Sequence, residues 1–166
     1  MISLKEALEA LLFIAPAYGA NMAPLLLVKL VKRRHPLDFG YRLFDGKRVL
    51  GDSKSFEGSM VGIASGFLIG LIIGRPLLGF TLGLGSMIGD SAGSFIKRRL
   101  GIEPGGLLPL IDQLSFFIGA LTLAYLVGFG SELSISKVFF LLLLTPVLHV
   151  FSNALAFKLG LKSKPY

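Results

Sequence analysis

The chain has 166 residues, 53% of them apolar and 16% charged, with a net charge of +7 and no cysteine. Its mean hydropathy of +0.74 lies far above that of a soluble domain of this size. This excludes a soluble globular enzyme, a disordered binder and a nucleic-acid protein, and the missing thiols exclude disulfides, thiol catalysis and thiolate metal sites.

Uncharged runs occupy 10–28, 58–74, 113–131 and 138–157, and 76–96 contains Asp90 as its only charge. About 20 apolar residues in a helix cross ~30 Å of hydrocarbon. The sequence therefore predicts an all-α integral membrane protein with five transmembrane helices, forming a single polytopic membrane domain over 1–166. The spans fall at about 7–31, 58–74, 77–99, 108–129 and 135–157, with a long loop over 32–57. With the N-terminus outside and the C-terminus cytoplasmic, 14 of the 17 Lys and Arg residues lie on the cytoplasmic side, leaving Lys5, Arg75 and Lys137 outside. That is the bias expected when translocating basic residues is unfavourable.

In chain order, span 1 carries Pro16, Asn21 and Pro24. Two prolines free carbonyls in mid-helix and predict a kink or a local break. Glu6 and Glu9 stand where a cleaved signal would have a basic segment. The polar loop 32–57 is too long for a turn, and loops of that length are usually functional. Span 2 has glycines at 58, 62, 66, 70 and 74, a spacing of four that lines one helix face. Span 3 continues the theme at 79, 83, 85, 89 and 93. Small residues at such spacing let helices approach closely in lipid, so spans 2 and 3 read as a tight hairpin. The same faces could serve a homodimer. Spans 4 and 5 complete the chain, with a Gly/Pro turn at 101–107 between spans 3 and 4.

Ionisable residues within a span are costly and so are functional candidates. At 1.5 Å per residue, Asp90 lies roughly 10 Å and Asp112 roughly 6 Å inside the cytoplasmic ends of their spans. Asn21 and Asn153 fall at about 12 and 8 Å, with His149 deeper. Four spans thus place a polar group in one slab, which reads as a common cavity, although independent helix–helix hydrogen bonds would give the same inventory. Asp90 and Asp112 could hold Mg²⁺, a hard cation that favours carboxylate and phosphate oxygens. Lys97, Arg98 and Arg99 would neutralise a polyphosphate beside it. Taken singly, the basic triplet could be a membrane anchor, and Asp90 a partner of Lys97. The loop adds Asp38, Arg42, Asp45-Gly46-Lys47-Arg48 and Gly51-Asp52-Ser53-Lys54-Ser55, whose glycines permit turns with amides facing phosphate. A solvated basic loop at a lipid surface fits the same residues. His149, one turn before Asn153, reads as a structural hydrogen bond between helices.

Ser94-Phe95-Ile96-Lys97-Arg98, followed by Asp112 near the start of the next span, resembles the signature of the phosphatidate cytidylyltransferase superfamily. That signature runs S-x-φ-K-R, with φ apolar, and closes with an aspartate. Lys54-Ser55-Phe56-Glu57-Gly58 resembles the K-[ST]-x-E-G segment of the same enzymes. Pro16-Ala17-Tyr18-Gly19-Ala20-Asn21, Asp38-Phe39-Gly40 and Asp45-Gly46-Lys47-Arg48 resemble the archaeal branch, the CDP-archaeol synthases. The ordered set covers about residues 16–160. The signature's second aspartate is replaced by Ser115, which points to Asp90 as the partner of Asp112.

The resemblance implies a CTP-dependent cytidylyltransferase. Its substrates would be CTP and an isoprenoid ether lipid phosphate, 2,3-di-O-geranylgeranylglyceryl phosphate, and its products CDP-archaeol and pyrophosphate. It implies Asp90 and Asp112 as Mg²⁺ ligands, with Lys97 beside them in catalysis. Lys54, Ser94, Arg98 and Arg99 would contact phosphate, and Asn21, Asp45, Lys47, Arg48 and Asp52 would shape the nucleotide pocket. The lipid phosphomonoester is itself the nucleophile, so no general base is required. A CTP- or ATP-dependent polyprenol kinase and a small membrane transporter are the rival readings. The kinase would need a base, for which His149 is the distant candidate. The transporter would favour a midplane site between repeated halves, which this off-centre slab and five spans do not provide.

Overall fold

The computed structural model describes residues 2–30 and 33–161, with 27–30 described by their backbone alone. The Val31 end of the first predicted span, Lys32, Lys162, Lys164 and the side chain of Lys29 lie outside the described residues. The chain forms five α-helices: α1 (Leu4–Leu30), α2 (Phe56–Ile72), α3 (Pro76–Arg99), α4 (Ile111–Leu126) and α5 (Ile135–Lys158). A short 3-10 turn, Phe129–Glu132, joins the last two.

A reciprocal cap starts α1. Ser3 Oγ accepts the Glu6 N–H at 3.2 Å, while the Glu6 carboxylate accepts the Ser3 N–H at 2.8 Å. The helix then runs unbroken through Pro16 and Pro24, so the local break expected there does not occur. The carbonyl that Pro24 deprives of its intrahelical donor is that of Ala20. This carbonyl lies against α2, where a Cβ on Gly62 would come within 2.9 Å of it.

The glycine ladder of α2 divides between two neighbours. Gly58 and Gly62 face Pro24 and Ala20 of α1, whereas Gly66 and Gly70 meet Gly83 and Gly79 of α3. A Cβ on Gly70 would stand 2.7 Å from the Gly79 Cα, too close for any side chain. The expected α2–α3 hairpin is therefore present, closed by Gly74 at φ +73 and by Pro76 at the start of α3. The later glycines of α3 serve a different partner. Gly85, Gly89 and Gly93 press against Gly119 and Ser115 of α4. With glycine stripes on two faces, α3 is the central helix and packs against α1, α2 and α4. Phe13, Ile14, Leu78, Leu82, Phe116, Phe117 and Leu141 form the apolar core.

Helix α4 begins at Ile111, three residues later than expected, because Leu110 takes a left-handed φ of +68. The Leu108 N–H turns back to the Asp112 carboxylate at 2.8 Å. Asp112 consequently stands in the first turn of α4, not a turn further in. Among the described residues, α5 is the helix both long and apolar enough to cross a bilayer by length and composition; α2 and α4 are apolar but shorter. The glycine and polar content of α3 suits it to the interior of the bundle. Outward-facing Leu68, Ile72, Leu143, Val147 and Phe151 leave the bundle with an apolar exterior, as burial in lipid requires. At the end remote from the 33–55 loop, Arg75 pairs with Glu132 and Lys137 with Glu9, both at 2.7 Å.

Candidate active site

The loop between α1 and α2 is ordered by its own charges. Its ends are tied where the Glu57 carboxylate accepts the His35 N–H at 2.9 Å and meets His35 Nδ1 at 2.5 Å. At its centre, the buried Asp38 carboxylate takes Arg48 Nη2 at 2.7 Å and Nε at 3.1 Å. It also accepts the N–H groups of Leu50 and Gly51 at 2.9 Å and of Gly40 at 3.1 Å. The Arg48 guanidinium, followed by these amides, holds the Asp38 carboxyl well below the usual carboxylate range. Asp38 in turn raises the affinity of Arg48 for its proton, with help from Asp52 at 2.9 Å.

The last turns of α3 meet this loop. Arg99 spans both oxygens of Asp45 at 2.7 Å, while Lys47 Nζ donates to the Arg99 carbonyl at 3.2 Å. This latch fastens the 41–49 hairpin to the end of α3. Two further ion pairs lie alongside: Lys54 with Asp90, and Lys97 with Asp112 at 2.6 Å. Of the partners considered from sequence for Asp90, Lys97 is engaged elsewhere and Lys54 takes its place. Each carboxylate of the expected metal pair thus already attracts a cation. Both stay partly open, with side-chain exposures of 30% for Asp90 and 22% for Asp112.

Arg98 differs from all of these. It is 6% exposed, and its Nε and Nη1 are buried without a hydrogen-bond partner. Gly51 lies beside it: a Cβ there would come 3.4 Å from Arg98 Nη1, and the φ of +97 also demands glycine. An uncompensated buried cation costs several kcal/mol, which makes this guanidinium the candidate anion contact of the cluster.

The candidates therefore separate. Lys54, Asp90, Lys97, Arg98, Arg99, Asp112, Asp45, Lys47 and Arg48 converge around the end of α3. Asp52 is exposed and, among the described residues, is held by Arg48. Ser94 and Asn21 are half-buried, and among the described residues neither makes a polar contact to the cluster. Asn21 lies between Ala20 and Pro24, which pack on Gly62 and Gly58 at the loop end of α2. His149 stacks on Phe116 of α4 and bonds Asn153 one turn along α5, so this bond lies within one helix and not between helices as expected. The organising roles of Asp38 and Glu57 were missed from sequence. The Asp38-x-Gly40 turn was a visible signal for the first; the second depends on a contact 22 residues away.

The profile of the CDP-archaeol synthase (CarS-like) family matches residues 1–75 and 72–166 of this chain. The chain belongs to the CDP-archaeol synthase family. A CDP-archaeol synthase of Thermofilum pendens is 43% identical over 95% of this chain and 80% of its own length. One from Sulfolobus acidocaldarius is 42% identical over 96% of this chain and 98% of its own. A solved structure described as an intramembrane enzyme for archaeal membrane lipids biosynthesis superposes with a TM-score of 0.74 at 39% identity. It covers 88% of this chain and 93% of that one. In this chain the Ser94–Arg98 segment lies at the end of α3, where the ion pairs converge.

Proposed function

We propose that this protein transfers the cytidylyl group of CTP to an isoprenoid ether lipid phosphate, giving CDP-archaeol and pyrophosphate. Family membership supports the reaction, and the buried, unpartnered Arg98 is the observation that carries it to these residues. CTP brings the anionic chain that this guanidinium lacks. A non-bridging oxygen of the lipid phosphate bonds to the α-phosphorus as the α–β bridging P–O bond breaks, and the electron pair leaves on pyrophosphate. The phosphomonoester is already ionised, so no base is needed, and positioning and charge neutralisation are the remaining work.

Arg98, Lys54 and Lys97 would bind phosphate oxygens. The latch of Arg99 with Asp45 and Lys47, and the hub of Asp38 with Arg48, would hold the loop over them. Asn21, Ser94 and Asp52 would contribute at the margin of the nucleotide pocket. Asp90 and Asp112 fit Mg²⁺ by donor chemistry, as two partly open carboxylates beside a polyphosphate site. When bound, the ion would neutralise charge on the phosphates. Five membrane spans, an outside N-terminus and a cytoplasmic site agree with the basic bias, since the loop and the end of α3 share one end of the bundle.

The test is pyrophosphate release by the purified protein in detergent with CTP, Mg²⁺ and a geranylgeranyl ether lipid phosphate. ATP for CTP, the free lipid alcohol for its phosphate, and Asp112→Asn are the controls. Release that needs CTP, the lipid phosphate and Asp112 is expected. Nucleoside diphosphate formed with the free alcohol would instead make the protein a kinase.

A further inference from the structure

Packing glycine against glycine has a second consequence at the α3–α4 seam. Gly85, Gly89 and Gly93 bring the α4 backbone so close that the larger residues flanking them stand up as walls. Between the walls runs an apolar groove of about 470 Å³, bordered by Ile88, Ala92 and Ile96 on α3 and by Ile118, Thr122 and Leu126 on α4. Ile88, Ala92, Ile118, Thr122 and Leu126 are exposed, so the groove opens sideways from the bundle. Along α3 it extends from Gly85 to Ile96, about 16 Å at 1.5 Å per residue. That is close to one leaflet of a hydrocarbon core ~30 Å thick.

Two lining residues stand next to the charged cluster in sequence. Ile96 precedes Lys97 and Ile111 precedes Asp112, and those two neighbours form the 2.6 Å ion pair of the site. The groove's lining on α3 thus ends one residue short of Lys97, whose other neighbour in sequence is the buried Arg98. The groove's apolar length and cationic mouth match one class of molecule: an amphiphile with a phosphate head and a hydrocarbon tail about one leaflet long. The opposite end of the bundle has a cavity of about 550 Å³, but Glu9, Arg75, Glu132 and Lys137 line it, and it offers no such apolar path.

The geometry points to the α3–α4 groove as the seat of one hydrocarbon chain of the lipid phosphate, with Ala92 and Thr122 limiting the chain that fits. This rests on the cytidylyltransferase reading and adds the place and the length dependence of lipid recognition. The groove, and not the reacting atoms, would then discriminate a long-chain lipid phosphate from a short one.

The experiment compares a geranylgeranyl ether lipid phosphate with a short-chain, water-soluble analogue in the pyrophosphate assay. Ala92→Phe and Thr122→Phe fill the groove without touching the charged cluster. Leu143→Phe, on the exposed face of α5, is the control. For both groove variants, KM for the long-chain substrate is expected to rise by roughly ten-fold or more. KM for CTP and turnover of the short analogue should stay at wild-type values, and the control should change neither. Equal losses on both lipids, or no loss on the long one, overturn the proposal.

A second measurement does not depend on the bulky variants folding. Because the chain has no cysteine, Thr122→Cys provides a single thiol in the groove. The long-chain lipid phosphate should slow its alkylation, and neither the short analogue nor a neutral lipid with the same chains should do so. Equal protection by the neutral lipid would mean ordinary lipid covers the seam and would overturn the proposal. A wild-type protein that releases pyrophosphate with neither lipid phosphate would overturn the reaction itself, and this seat with it.

Discussion

The two ends of the bundle carry similar charges and use them differently. At the end remote from the loop, Arg75 meets Glu132 and Lys137 meets Glu9, and the Arg75 guanidinium also lies over Phe13 and Phe129 at 6.0 and 5.8 Å. These cations and anions balance. At the loop end, five carboxylates answer Arg48, Arg99, Lys54 and Lys97, Lys47 donates to the Arg99 carbonyl, and Arg98 is buried with no anion among the described residues. Closed pairs hold helices together. An unanswered buried charge lowers stability, and that is reasonable where a ligand completes it.

The largest effect should therefore fall on Arg98. Arg98→Met is expected to lower kcat/KM for CTP by roughly 10²–10³, as loss of a transition-state donor does. The same change should raise thermal stability, because it removes a buried charge whose desolvation nothing compensates. Kinetics and a melting curve on one preparation check both. A variant that lost activity and stability together would erase the distinction between the two ends. Asp112→Asn sharpens it with the opposite sign. Activity should again fall by about 10², but here stability should drop by about 2 kcal/mol, because Lys97 loses its partner in a half-open site.

Much of this contrast was legible in the sequence, and the reasons are local. The five helices followed from the spacing of charges, and the α2–α3 hairpin from glycines four residues apart. The cluster followed from Asp90, Lys97, Arg98 and Asp112, which lie within 23 residues of one another. The pairing inside the cluster was not legible. Lys54 reaches Asp90 across 36 residues, and Arg99 reaches Asp45 across 54. Periodicity on α3 puts Asp90 and Lys97 on one face, but only the folded loop decides which lysine each aspartate meets. The start of α4 was misplaced for a similar reason: apolar content continues through Leu108 and Leu110, and the left-handed Leu110 ends the run by conformation.

Asp38 tests whether the loop is a scaffold or a solvated tether. Asp38→Asn should raise KM for CTP by about ten-fold while leaving kcat within a few-fold, because it loosens the groups that position phosphate. Its pH behaviour carries a definite sign. The folded-state affinity of Asp38 for a proton is depressed, so its stabilisation is complete above the ordinary carboxylate value of about 3.9 and is lost as pH falls toward the folded value. The melting difference between wild type and Asp38→Asn should be flat from pH 7 to 5 and shrink below about pH 4. A gap that widened on acidification would mean that Asp38 does not anchor Arg48 as a carboxylate.

The smallest effects belong to the balanced end. The Arg75 and Glu132 side chains are 36% and 40% exposed, so water already screens most of their attraction. Their coupling in a double-mutant cycle of Arg75→Gln and Glu132→Gln should be about 0.2–1 kcal/mol and should weaken with added salt. Arg75→Gln should cost more than Glu132→Gln, because only the arginine also lies over two aromatic rings. Neither should change KM for CTP or for the lipid phosphate. If either variant lowered turnover while leaving the melting curve alone, the two ends would be energetically linked along α3. The closed pairs would then belong to the catalytic cycle and could not be treated as fastening alone.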